Sequence, residues 1–424
     1  MLKQNLRPKL FACAIALIGS DAQAQTMALA SEPAVVQHSE APPVAHGVDY
    51  VVPDLPPSKP RKMDGFFSIR PSIVLLGDYT AFSQDPVNIA QVGEQRDRWE
   101  VRAARIQLLG HVGSHFKVRY QIAGEYKGFD GDPNTKWQLT DLSVTLPLGT
   151  RTSLQLGKAK EAFAYEMVGD AANLPGSERV LSPFFVSRNT GARLVHNWGA
   201  TKQGTVTLAV NNDKWDIGTV ASRGIDVSGR LTALVWEQPD EARFLHVGAA
   251  FRHVASKGNL RYRGKPGSNV ATNFVDTGEL DADDALHLGV EGLLNLGSVS
   301  FLGEWVTAKV DSPSLDNPRF SGWYVTGSWV LTGETRPYDR SVGYSRRVIP
   351  KGRWGAPELV ARWAETDLRD TLVDGGRFRR LDLGVNWWAT TRWKFGMAYG
   401  HIWLDRDGTR GSTDTMLTRF QWVY

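Results

Sequence analysis

Cysteine is nearly missing: Cys13 stands alone among 424 residues, inside the first apolar run. A disulfide framework is excluded, and so is any thiolate site once that N-terminal run has been removed. Long apolar runs are scarce as well. Beyond LFACAIALIG at residues 10–19 none is long enough for a membrane helix, and the mean hydropathy is −0.29. Catalytic signatures are equally thin, because the nine histidines are scattered and GxSxG does not occur. No enzyme, bound metal, organic cofactor or nucleic-acid partner is expected.

What is present begins with an export signal. Lys3, Arg7 and Lys9 precede or open the apolar run, and Ala22-Gln23-Ala24 supplies a small-x-small site before Gln25. Residues 1–24 therefore read as a signal peptide cleaved after Ala24. Residues 25–64 contain APPV and PDLPPSKP, show no periodicity, and read as a flexible Pro-rich segment. An exported chain without disulfides needs another scaffold, which the hydrogen-bonded wall of a closed barrel provides. The 42 glycines and 15 tryptophans fit such a wall with its turns and aromatic girdles.

From residue 65 to 424 apolar and polar residues alternate in stretch after stretch. In HFKVRYQIAGEYKG, the residues Phe116, Val118, Tyr120 and Ile122 form one row, and Lys117, Arg119, Gln121 and Glu125 belong to the other. The pattern predicts an all-β fold, a transmembrane antiparallel β-barrel of about 16 strands with inward-folded loops, whose apolar row faces lipid. Long and short connections alternate, as loops outside and turns at the periplasm do. Two long loop-side excursions, about residues 159–189 and 255–284, and one turn-side excursion, about 333–355, are expected to fold into the lumen. The chain ends on Phe420, Trp422 and Tyr424, all on one face, a terminal pattern suited to outer-membrane assembly.

Alternation also lists the lumenal side. Its expected basic residues include Arg70, Arg105, Lys117, Arg119, Arg193 and Arg230. Further along come Arg252, Arg362, Arg380, Arg392, Lys394 and Arg419. Acids on that side are fewer: Glu125, Asp141, Asp226, Glu291, Glu304, Glu358 and Asp382. The expected excess of positive charge, lacking local partners, would concentrate anions and exclude cations in a narrow passage. Large barrels also carry arginine–acid networks for rigidity alone. In the second excursion Lys257, Arg261, Arg263 and Lys265 cluster, with Arg261 and Arg263 pointing the same way. The turn-side excursion carries Arg336, Arg340, Arg346 and Arg347, and guanidinium forks suit phosphate and carboxylate oxygens.

The stretches LGKAKEAFAYE, LRYRGKPGSNVATNFVDTG, LTGETRPYDRSVGYSRRVIPKGRWGAPELVARW and LDLGVNWWATTRWKFGMAYGHIWLDRD resemble the phosphate-selective porin O and P family. The resemblance covers about residues 64–424 and implies a homotrimeric outer-membrane porin of a Gram-negative cell, passing small phosphate-like anions. It places an anion constriction at Arg261, Arg263, Lys160 and Lys265. The family's wall motif of consecutive arginines reads VRAAR here, with alanine at 103 and 104. A second reading is a barrel channel for sugars or organic acids, with an aromatic track and little charge selectivity.

Overall fold

The computed structural model describes residues 61–63, 65–126, 137–212, 224–256, 258 and 260–424. The signal, most of the Pro-rich segment and Lys257 lie outside the described residues. Residues Arg61–Met63 already pair with Phe67–Ile69, so the sheet begins before residue 65.

Sixteen antiparallel strands close into a barrel. They are β1 Phe67–Gln84, β2 Arg98–Val112, β3 Val118–Tyr126, β4 Trp137–Pro147, β5 Thr152–Lys160 and β6 Arg188–Trp198. β7 is Gly204–Asn211, β8 Asp226–Gln238, β9 Arg243–Ala255, β10 Asp284–Leu296 and β11 Val299–Asp311. β12 is Arg319–Val330, β13 Ala356–Asp370, β14 Val373–Trp388, β15 Trp393–Arg406 and β16 Thr409–Val423. Each strand pairs with its neighbour in sequence, and β16 returns to β1 with Val423 opposite Val74. Such closure leaves no sheet edge, which lipid would not tolerate.

The outward rows are apolar, as expected. Tyr120 and Ile122 face outside, and tryptophans form belts toward both ends of the wall. Trp305 lies directly opposite Trp323, and the Trp403 ring is tilted against Trp363 at 5.6 Å. At the turn-side end Trp393 lies opposite Trp422, and Trp422 stacks on Tyr424 at 6.1 Å. The alternation of long and short connections is corrected at two places. Residues 371–372 and 407–408 form short hairpins on the loop side, because β13 to β16 are themselves 14–16 residues long.

The three excursions all turn inward, and they fill one side of the barrel. Phe163, Tyr165, Met167, Leu181 and Phe184 from 161–187 join Tyr262 and Phe274 from 256–283 in a single apolar core. The wall meets them with Leu302, Val306, Ala308 and Val310 of β11 and with Phe320 and Tyr324 of β12. Tyr262 links the two loops to the wall, its ring 6.0 Å from Phe184 and 5.2 Å from Phe320. The inward row of β11 is therefore mainly apolar, unlike the polar row that a water-filled lumen requires.

One outward contact shows how tightly the wall is built. A Cβ at Gly110 would lie 2.0 Å from the Ser68 carbonyl oxygen, so only glycine fits opposite Tyr120. The Tyr120 ring covers that glycine, stacks on Phe67 at 5.9 Å, and its hydroxyl donates to Ser68 O at 2.9 Å. Tyr120→Ala is expected to cost about 1–3 kcal/mol of barrel stability. The urea midpoint for unfolding in detergent, followed by heat-modifiable mobility, measures it; an unchanged midpoint would show that the contact contributes nothing.

Candidate functional site: the lumenal passage

Excursion 161–187 is pinned by buried carboxylates. Glu304 of β11 accepts from the Tyr165 N–H at 2.6 Å and the Glu166 N–H at 3.2 Å, while the Tyr324 hydroxyl donates to it at 3.1 Å. Glu166 in turn accepts from Val180 N–H at 3.0 Å and Leu181 N–H at 3.1 Å, closing the loop on itself. Farther along, Glu178 is gripped by Arg102 at 2.8 Å and Arg419 at 2.5 Å. The loop thus spans the lumen from β11 to β2 and β16.

Turn-side excursion 331–355 is held as firmly. Arg336 pairs with Glu358 at 2.6 Å and donates to Asn173 O at 2.5 Å, tying the turn to the loop. Arg340 pairs with Glu237, and Arg346 with Asp339. Arg230 of β8 donates to Val342 O at 2.8 Å and Gly343 O at 2.6 Å while pairing with Glu291 at 2.5 Å. His246 completes this knot, 2.8 Å from Glu291 and 2.7 Å from the Tyr338 hydroxyl. Its role, and that of His287 beside the Tyr262 hydroxyl at 3.0 Å, is structural. His111 and His115, four apart across a turn, meet Ser68 and Ser114. Among the described residues no cluster of metal ligands forms.

Between these excursions and the wall of β2 to β8 remains a cavity of about 100 Å³. Its cations are Arg105, Lys160, Arg188, Arg193 and Arg230, and its acids are Asp141, Glu161 and Asp170. Arg105 pairs with Glu125 at 2.7 Å, Arg188 with Asp141 at 3.0 Å, and Lys160 donates to Gly169 O at 3.0 Å. Burial alone would raise the Asp170 carboxyl, but Lys160, Arg105 and the Ala172 N–H hold it well below the ordinary carboxylate range. Arg193 differs from the others. Its Nε is buried, and no hydrogen-bond partner meets it. Tyr344 is the one aromatic side chain lining this cavity among the described residues, so no aromatic track runs along it.

The expected residues separate into groups. Lys160, Arg105 and Arg230 come together at the cavity with Arg193. Arg70 and Arg119 lie in the inward rows of β1 and β3. Arg252, Arg362, Arg380 and Arg419 point inward but are engaged by Glu161 at 2.9 Å, Asp382 at 2.9 Å, Asp382 again, and Asp78 at 2.5 Å. The expected excess without local partners is thereby corrected, because most of these guanidiniums sit against a carboxylate. Lys117 and Arg392 belong to turns, not to the wall, since β3 begins at Val118 and β15 at Trp393; Arg392 lies over the Tyr424 ring at 4.8 Å.

Arg261 and Arg263 do project to the same, exposed side of the 256–283 excursion. Arg261 makes a two-pronged pair with Asp276 at 2.7 and 2.6 Å, and Lys265 donates to Asn269 O. None of these three lines the cavity. Sequence reasoning missed Arg188, Glu161 and Asp170, which lie at the ends of strands or in the loop. It also left Arg102 out of the pore. A register shift opposite Leu76 and Gly77 bulges β2, so Arg102 and Arg105, three apart, both reach the lumen.

Residues 77–424 match the family described as phosphate-selective porin O and P. An uncharacterized protein of Caulobacter vibrioides is 28% identical over 168 residues, which cover 37% of this chain and 33% of that protein, about a third of its length. Among solved structures, an anion-selective porin from Comamonas acidovorans is similar at a TM-score of 0.54 and 12% identity, over 84% of this chain and all of that one. OprB of Pseudomonas putida aligns at 0.55 and 8% identity, over 85% of this chain and 95% of its own. The trimer form of OmpT from Vibrio cholerae aligns at 0.52 and 10%, over 84% and 99%. A closed wall with lipid-facing rows, a lumen narrowed by inward excursions and a family match over most of the chain converge: the protein belongs to the phosphate-selective porin O and P family and is an outer-membrane channel.

Proposed function

We propose that this channel passes small anions passively, phosphate and related oxyanions among them, with preference over cations. The observation that carries the reading is the cavity lining, where five cations outnumber three acids and Arg193 holds an unpartnered donor. A low-dielectric passage amplifies even a small excess of positive charge. Pairing keeps the excess small, which favours release as well as capture. Lys160 and Arg193 are assigned the selectivity, and Arg261, Arg263 and Lys265 an outer role in attracting anions. A homotrimer is proposed as well, in keeping with the trimer form of the Vibrio cholerae neighbour; native mass measurement in detergent tests it, a monomer mass excluding it.

Reversal potentials across a bilayer in a potassium chloride gradient test the anion preference, and a potential of cation sign overturns it. Lys160→Ala combined with Arg193→Gln is expected to lower the chloride-to-potassium permeability ratio by about threefold to tenfold. Arg261→Ala with Arg263→Ala is expected to change it less, because Arg261 is already neutralised by Asp276. Glu304→Ala removes the acceptor of two loop N–H groups. It should loosen the 161–187 excursion, since each buried N–H left without an acceptor costs about 1–3 kcal/mol. Single-channel records would then show larger and noisier conductance; an unaltered trace would mean that Glu304 does not set the passage.

A further inference from the structure

Within the cavity lining, two cross-strand neighbours carry polar atoms that no protein group meets. Gln155 on β5 and Arg193 on β6 are direct cross-strand partners, in the row Thr145, Gln155, Arg193, Ala209. Both line the cavity, and Gln155 is only 6% exposed. Gln155 Nε2 donates to Ser143 Oγ at 3.1 Å, but its Oε1 is buried without a partner. Arg193 Nε is buried without one too. A donor and an acceptor on adjacent strands thus stand unsatisfied beside each other instead of bonding. Glu161, in the same lining, adds a third case: Oε1 accepts from Arg252 at 2.9 Å while Oε2 is buried and unpartnered.

Buried polar groups left unpaired are costly, so something passing through is set to meet them. Its chemistry follows from the set: one cationic donor and two acceptors in a shared lining, one of them a carboxylate. A bare halide or a fully ionised carboxylate satisfies the donor and leaves both acceptors empty. A hydroxyl beside the anionic group satisfies them, because it donates to Gln155 Oε1 or Glu161 Oε2. A hydroxyl also tolerates either orientation of the Gln155 amide, since it accepts as readily as it donates.

We infer that Gln155, Arg193 and Glu161 form a subsite for small hydroxylated carboxylates, the carboxylate resting on Arg193 and its neighbouring hydroxyls on Gln155 and Glu161. The inference rests on the anion-channel reading and names a permeant class within it. It makes Gln155 a specificity-determining residue that contributes no charge.

The test compares glycerate with propionate, anions of equal charge and chain length that differ in two hydroxyls. With the full chain in planar bilayers, block of the potassium chloride current by each sodium salt is titrated. Glycerate is expected to block at a concentration about fivefold or more below propionate, the scale of one net hydrogen bond. Gln155→Leu should bring the two together, Gln155→Asn should keep part of the difference, and Arg193→Lys should weaken both anions alike. Equal block of the wild-type channel overturns the subsite and leaves bridging waters as the occupants of these groups. So does a ratio that survives Gln155→Leu in a variant with normal heat-modifiable mobility. If that variant does not fold, the wild-type comparison and Gln155→Asn still decide. The potassium chloride reversal potential, taken in the same bilayers, reports separately on anion preference.

Discussion

Everything specific about this channel depends on loop 161–187 being held in the lumen, and buried carboxylates do the holding. Glu304 reaches from the wall to the N–H groups of Tyr165 and Glu166, replacing the water that those donors would otherwise need. Glu178 is fixed at the far side by Arg102 and Arg419. A loop anchored only by apolar contacts could slide, because such contacts have no direction. Charge-assisted hydrogen bonds give it one register. From that register follows the division of the barrel into a side packed with apolar residues, around β9 to β15, and an open side along β2 to β8.

The division explains why so many arginines contribute so little net charge. Arg336, Arg230, Arg362 and Arg419 each hold a carboxylate and donate to loop or turn carbonyls as well. Such groups would be costly if either partner were removed, since an uncompensated buried charge remains. They fasten the excursions to the wall. The charge that acts on a passing ion is what is left over at the cavity, where Lys160 donates to the Gly169 carbonyl and faces the Asp170 carboxylate, and Arg193 has a donor to spare. Selectivity of this kind arises from a small remainder within a large paired network.

The barrel itself was legible because alternation with period two marks both faces of a membrane strand, and because hairpin turns punctuate it. Tyr120 and Ile122 could be assigned outward from HFKVRYQIAGEYKG alone. The site was legible only in part. Strict alternation put Lys117 and Arg392 in the wall, although they lie just beyond strand ends, and it could not foresee the bulge that brings Arg102 inward. The apolar inward row of β11 answers to loop residues more than a hundred positions away. Above all, partners are set by cross-strand register and by loop placement. Arg362 and Asp382 lie opposite each other on β13 and β14, yet nothing in the local sequence around either shows the other.

Register also explains why an uncharged residue can matter in a channel read from its charges. On the shared face of β5 and β6, Gln155 and Arg193 lie side by side, and each polar atom that the wall leaves unpaired becomes part of the chemistry a solute meets. Long-range attraction from Lys160 or Arg193 is felt by every anion and falls off through screening. A hydrogen bond to Gln155 is felt only on contact, and only by a solute with a matching group. Charge can therefore set which ions enter, while an amide adjoining a guanidinium with one unpaired donor sets which of them linger. Because conduction requires that lingering be brief, a neutral hydrogen-bonding group is better suited to that second choice than another arginine, whose stronger grip would slow release.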